Sequence, residues 1–439
     1  MSPSLIIVVG TTPDYVARIL RKHRPGSVLF ILDLCHINDR LLSDIEKSCL
    51  LFTDTDRYDD TLLALKKYLS QNPLLNLFFA CFDCESLVMA SRLARYFDSP
   101  FPPTEAILVT RNKFLSKKLW RKAGLNNPRA GLASNIDETL SYFYRFGRDI
   151  VLKPISGSGS ELVFHCLDEA DVRDSVTTME EQLAKRRCNS LFRPIEDPFT
   201  SVTMDPCKGW VVEEYVPGPE FSCDFMLHEN EIFVLREAEK FKSDDQSFGS
   251  VMAYSMPPMY PDGFFRKDLR MTFLHAANSL GYQWGHFMVD FIIRENRVVI
   301  LELTPRPSGD SIPDLLEAAT GRDLLEDYLK FMSSQFDTPI ASPPAPTRPY
   351  ASINLFAPVA GLITHLDPAE ILAQPKVKSL FLKKKVGDRV ALPPDDYDNR
   401  LLGFCILCRD PDWDPISTCR RFQRLLKVSV KEEHSNYSN

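Results

Sequence analysis

The stretch Val151-Leu152-Lys153-Pro154-Ile155-Ser156-Gly157-Ser158-Gly159-Ser160 ends an apolar run in a lysine and follows it with serine and glycine. Glycine adopts backbone angles that bulkier residues resist, so successive N–H groups of such a loop can face one anion. The lysine adds a compact positive charge for phosphate oxygens. The order is not that of a Walker A loop, whose lysine follows its glycines. A hairpin turn beside a surface lysine fits the same residues, so the neighbours of this motif decide its meaning.

A second stretch, Val211-Val212-Glu213-Glu214-Tyr215-Val216-Pro217-Gly218-Pro219-Glu220, places two acids at a strand end and a third beyond a Pro-Gly turn. A carboxylate beside strand backbone can accept from an adenine amino group, and one beyond the turn from both ribose hydroxyls. A solvated strand end gives the same pattern. The third stretch is sharper. His286 to Ile293 is an apolar strand interrupted by Asp290; Arg294 to Arg297 makes a turn; Val298 to Leu303 is a second apolar strand interrupted by Glu302. In a hairpin these acids can face each other. Two buried carboxylates raise each other's pKa unless a cation joins them. Mg²⁺, held through one or two carboxylates plus phosphate oxygens, is the natural cation. Directly after, Thr304-Pro305-Arg306-Pro307-Ser308-Gly309-Asp310 holds an arginine between prolines, able to fork onto a carboxylate or a developing oxyanion.

The elements that must position these residues fall into three regions. Residues 1–105 alternate strand-like runs (Ser4–Val9, Ser27–Asp33, Cys49–Thr53, Leu77–Phe82) with helical patterns ending near His23 and at Asp60–Leu69 and Glu85–Phe97. That alternation predicts an open, doubly wound parallel sheet. The turn Gly10-Thr11-Thr12 lacks the dinucleotide fingerprint. The chemical signals lie in 106–340, with a subdomain at about 145–215 carrying the lysine loop; Arg186–Lys208 reads as a long surface loop. A Pro-rich stretch, 338–349, predicts a stiff linker. Residues 350–430 predict a small α+β domain, with short β-like runs and a helix near Ser417–Leu426, and 431–439 a frayed tail.

Together these motifs resemble the ATP-grasp superfamily, across about 111–337. Asn112-Lys113, followed by Leu119, Ala123-Gly124-Leu125 and Pro128, looks like the segment in which the family's first nucleotide lysine precedes a helix. The resemblance implies that Lys113 and Lys153 contact phosphates and that Ser156, Gly157, Ser158 and Gly159 belong to a lid loop. It implies that Glu213, Tyr215 and Val216 hold adenine, that Glu220 holds ribose, that Asp290 and Glu302 bind Mg²⁺ or Mn²⁺, and that Arg306 is the catalytic arginine. Many members carry asparagine two residues after the second metal acid; this chain has Thr304. The run from Glu302 to Asp310, with Val386-Gly387-Asp388-Arg389-Val390 and Gly403-Phe404-Cys405, resembles carboxylate–amine ligases such as L-amino acid ligases. The implied reaction is ATP-dependent activation of a carboxylate as an acyl phosphate and its joining to an amine. Arg236, Lys240, His286, Ser308 and Gly309 are candidates for contacting the substrates. The weighed alternatives are a carboxylase acting through carboxyphosphate and a non-catalytic nucleotide-binding scaffold.

Bulk properties agree with a globular enzyme acting on small molecules. A hydrophobic fraction of 44%, a charged fraction of 25% and a net charge of −7 speak against a general nucleic-acid partner. No run approaches the ~18 apolar residues of a membrane helix. Eleven cysteines, an odd number scattered through apolar segments, suggest reduced thiols in a cytoplasm. The pairs Cys81/Cys84 and Cys405/Cys408 lie in strand-like runs and are expected to pack in the core. A homodimer is an expectation carried by the superfamily alone.

Overall fold

In the computed structural model the described residues are 4–24, 26–33, 47–71, 76–198, 200, 202–243, 246–334, 348–410 and 412–432. Most of the expected linker and the tail 433–439 lie outside them.

The first apolar runs form a four-stranded parallel sheet in the order Leu50–Thr53, Val28–Asp33, Ser4–Val9, Asn76–Ala80. Its strands are short and nearly continuous in Val, Ile, Leu and Phe, as a sheet buried on both faces requires. The helix Pro13–Leu20 begins where the Thr12 hydroxyl accepts from Tyr15 N at 3.4 Å and proline occupies its first turn. This end of the sheet looks onto the rest of the molecule through Thr11–Tyr15 and Phe82–Glu85.

A four-stranded antiparallel sheet, in the order Ala130–Ala133, Trp210–Glu214, Ile150–Pro154, Phe164–Cys166, carries Lys153 and Glu213. Phe143 from the helix Ile136–Arg145, and Val176 and Met179 from the helix Glu169–Lys185, are buried in its core. The sequence between Arg186 and Lys208 is more than the expected surface loop. It contains the paired strands Ile195–Glu196 and Thr203–Met204, and its Leu191 and Phe192 are buried in that core. Its aperiodic pattern reflects strands too short to show alternation.

The third sheet has eight strands, in the order Arg297–Thr304, Gly285–Arg294, Glu220–His228, Glu231–Lys242, Val251–Met256, Tyr350–Phe356, Leu401–Cys408, Val377–Leu382. The C-terminal strands therefore continue the central sheet. Side chains alternate between its faces. Phe221, Phe225 and Phe291 fill the face covered by the helix Lys267–Ser279. Glu220, Ser222, Asp224 and Asp290 belong to the other. The strands Gly361–Asp367, Arg389–Val390 and Lys427–Lys431 form a small separate sheet. Among the described residues no helix is long and apolar enough to cross a membrane.

Candidate active site

Asp290 and Glu302 are register partners across the two antiparallel strands, directly opposite each other. The register then shifts, pairing Phe291 with Ile300 and leaving Leu301 as an extra residue. The Leu301 carbonyl accepts from Lys117 Nζ at 2.9 Å. Lys117 stands one helical turn beyond Lys113 on the helix Lys113–Lys122, so the two lysines share a face. The start of that helix is fixed by Asn112, whose side chain accepts from Phe114 N and Leu115 N, each at 3.1 Å.

Glu213, Glu220, Asp290 and Glu302 each have a lysine against them. Lys113 Nζ lies 3.3 Å from Glu302 Oε1 and donates to Gly157 O at 2.9 Å. Lys117 and Lys153 grip the two oxygens of Glu213, each at 2.8 Å. Lys240 bridges Glu220 Oε1 at 2.6 Å and Asp290 Oδ2 at 2.8 Å, and Lys242 also meets Glu220. Burial would raise Glu213 and Glu302, but the lysines outweigh it and hold both below the usual range. The same balance brings Glu220 down to about 2. Asp290 goes the other way: burial, then Glu220 and Glu302, raise it in spite of Lys240. Lys117 is pulled down by burial even with Glu213 beside it.

These groups, apart from Lys117 behind Glu213, surround a pocket of about 520 Å³. Gly157 and Gly159 turn its roof with φ of +150° and +64°, which a side chain would strain. Ser158 also lines it, while Ser156 lies just behind, only 1% exposed, its hydroxyl without a hydrogen-bond partner among the described residues. At the far end Tyr215 stacks on His165 at 4.2 Å, with Phe248 against both, and Val216 and Ile292 add apolar surface.

Asp290, Glu302 and Lys240 also line a second, larger cleft of about 2180 Å³, bounded by the first helix and the C-terminal strands. Arg306, Ser308 and Gly309 lie in its wall. Arg306 Nε donates to Cys84 Sγ at 3.0 Å, and Nη1 to Pro307 O at 2.7 Å. The two acids thus stand where the lysine-lined pocket opens into the arginine-lined cleft.

The structure corrects three expectations. The side chains of Arg236 and His286 are fully buried on Asp224 and reach neither cavity, so they are not substrate contacts. Cys84 is not in a strand: it follows the strand Asn76–Ala80 in a bend, packs half-buried against the core beneath the second sheet, and touches Arg306. Cys81, by contrast, is buried in the core, and so is Cys405. Sequence reasoning missed Lys117, Lys242, His165, Phe248 and Asp224. The spacing of Lys117 from Lys113, and of Lys242 from Lys240, carried a periodic signal; His165 and Phe248 carried none.

The chemistry of these donors fits a nucleotide with a divalent cation. Lys113, Lys153, Lys240 and Lys242 line the pocket and offer ammonium groups to phosphates, and the Ser156 hydroxyl lies unused beside the loop. Burial first, and then the neighbouring Glu220 and Glu302, raise Asp290, and a cation between the acids would offset both. Among the described residues no three His, Cys, Asp or Glu could hold a metal as a set, so phosphate oxygens would complete its shell.

The sequence profile of the ATP-grasp domain family matches residues 146–314, so the chain carries an ATP-grasp domain. The chain has the ATP-grasp fold. It superimposes on an L-amino acid ligase from Bacillus licheniformis with a TM-score of 0.76 at 16% identity, covering 98% of this chain and 100% of that one. Biotin carboxylase from Campylobacter jejuni matches with a TM-score of 0.66 at 15% identity, over 97% and 92% of the two chains. In sequence, the chain is 23% identical to dapdiamide A synthase of Enterobacter agglomerans over 49% of its length and 47% of the relative's. It is 24% identical to a D-alanine–D-alanine ligase of Acidovorax ebreus over 53% and 65%. An uncharacterised protein of Sinorhizobium fredii matches at 23% over 54% and 45%. The chain spans about half the length of the first curated relatives it matches. The sequence relatives with assigned names include carboxylate–amine ligases.

Proposed function

We propose that the protein is an ADP-forming ligase that activates a carboxylate as an acyl phosphate and joins it to an amine, the carboxylate being that of an amino acid. One observation carries this reading: Asp290 and Glu302 face each other where a lysine-lined pocket meets a cleft walled by Arg306. In this reading the 520 Å³ pocket takes ATP. Tyr215, Val216, His165 and Phe248 enclose the base, Glu220 receives the ribose hydroxyls, and Glu213 orients Lys153. Lys113 and Lys153 meet the phosphates beneath the loop Ser156–Gly159. Asp290 and Glu302 would hold Mg²⁺. When bound, the metal neutralises charge on the phosphoryl oxygens.

A substrate carboxylate oxygen attacks the γ-phosphorus, and the bond to the bridging oxygen breaks to release ADP. The amine nitrogen then attacks the acyl carbon, phosphate leaves, and the nitrogen gives up a proton. Arg306, held at the cleft wall, steadies the oxyanion of that second step. The loop Gly157–Gly159 shields the anhydride from water. The relatives named as dapdiamide A synthase and D-alanine–D-alanine ligase support amide formation, as does the fold shared with an L-amino acid ligase.

The test is an ADP-release screen over paired amino acids with hydroxylamine as a universal amine. ADP, phosphate and a hydroxamate are expected in equal amounts. AMP and pyrophosphate would overturn the reading. Bicarbonate-dependent ADP release, with no hydroxamate, would favour a carboxylase.

A further inference from the structure

Beneath the Arg306 loop lies a charged cluster, Asp224, Arg236 and His286, whose three side chains line neither cavity. Asp224 and Arg236 are register partners on adjacent strands, at a bulge where Leu235 is the extra residue, and both side chains have 0% exposure. Arg236 Nε donates to Asp224 Oδ2. Its Nη1 donates to Ser222 O at 2.9 Å and Ser222 Oγ at 2.6 Å, and its Nη2 donates to Ser308 Oγ. Asp224 Oδ1 accepts from Ser308 N at 2.8 Å and lies 3.0 Å from His286 Nε2. Ser308 is therefore gripped at its backbone N–H and its hydroxyl, two residues from Arg306.

The grip continues to the opposite side of Arg306. The His286 ring meets Tyr328 edge-on at 5.3 Å. The Tyr328 hydroxyl donates to Cys81 O at 3.1 Å and accepts from Cys81 N at 3.0 Å. Cys81 leads into the bend Asp83–Ser86, which holds Cys84, the acceptor for Arg306 Nε. A single connected set of contacts thus runs from the sheet beneath Arg306 to the bend above it. Stability does not require charge here, because apolar residues of like volume commonly stabilise a core as well as a buried ion pair does. Apolar side chains could not hold both the N–H and the hydroxyl of Ser308. Directional hydrogen bonds can, and catalysis by oriented charge depends on such placement.

We propose that Asp224 and Arg236 are positioning residues that fix the Arg306 guanidinium through Ser308. The geometry stands without reference to the reaction; its catalytic consequence rests on the ligase reading. Burial alone would raise Asp224, but Arg236 and the hydrogen bond to His286 outweigh it and hold its carboxyl well below the usual range.

The experiment uses full-length protein labelled at arginine nitrogens, with Ser308→Ala as the mild variant and Asp224→Asn and Arg236→Met as stronger ones. Arg306 Nε–H is identified by its loss in Arg306→Lys. In Ser308→Ala its solvent exchange should rise roughly tenfold, the worth of about one hydrogen bond. Hydroxamate formation should fall by about 10²-fold, as for a small misplacement of a catalytic group, with ATP affinity held and more ADP released per hydroxamate. A purely structural role would lower Tm and the active fraction while leaving the exchange and the ADP-to-hydroxamate ratio unchanged. Unchanged exchange in folded Ser308→Ala overturns the proposal. Raised exchange in a protein whose wild type ligates nothing would leave the positioning role standing and overturn the ligase reading instead.

Discussion

Replacing Lys117 by methionine removes one of the two ammonium groups that hold Glu213 while keeping the length of the side chain. Lys117 is 2% exposed and Glu213 is 1% exposed, so water cannot substitute for the lost partner. Breaking a buried pair by removing one member costs roughly 3–5 kcal/mol, and the surviving contact to Lys153 puts this case near the lower figure. The Leu301 carbonyl also loses its donor. Over 439 residues, roughly 2.1 cal/mol/K per residue gives an unfolding entropy of about 0.9 kcal/mol/K, so a loss of about 3 kcal/mol lowers Tm by about 3 °C. Adding Glu213→Gln to the variant strands the Lys153 ammonium in turn, so the double variant should be no more stable than Lys117→Met. Scanning calorimetry on the wild type, the two single variants and the double variant closes the cycle. An unchanged Tm in Lys117→Met, or a double variant clearly more stable than that single, would refute the reasoning.

Asp290→Asn and Glu302→Gln should each lower turnover by about 10³-fold with the fold retained, since each removes charge but little volume; near-normal turnover at ordinary Mg²⁺ would refute the metal assignment. Lys153→Ala should weaken ATP and ADP binding but leave adenosine binding nearly unchanged, whereas Glu220→Gln should weaken all three, as calorimetric titration will show. Acid should destabilise the protein through Glu220. Its folded pKa of about 2 lies below the ordinary 4.5, so its contribution is present above 4.5 and is lost as pH falls from there toward 2. Urea titrations across that range should show Glu220→Gln losing less stability with acid than the wild type.

Much of the architecture is legible in local pattern. The four N-terminal runs were readable as parallel strands because both faces of that sheet are buried, which writes near-continuous Val, Ile, Leu and Phe into the sequence. The hairpin bearing Asp290 and Glu302 was readable because one acid in an apolar strand is conspicuous, and a short turn leaves few registers. Arg186–Lys208 was misread because strands of two residues are too short to establish a period.

What the sequence determined by itself is the set of residue types and their local spacing: a lysine before a glycine-serine loop, acids in apolar strands, and an arginine between prolines. Only the tertiary structure decided which of these charges meet. Lys117 reaches Glu213 across 96 positions of the chain, and Arg306 reaches Cys84 across 222. Arg236 and His286 look like binding residues in the sequence but lie sealed on Asp224. The physical reason is that hydrogen bonding and electrostatic pairing depend on separation in space and on burial. A one-dimensional pattern encodes those quantities only within a turn, a helix face or a strand pair.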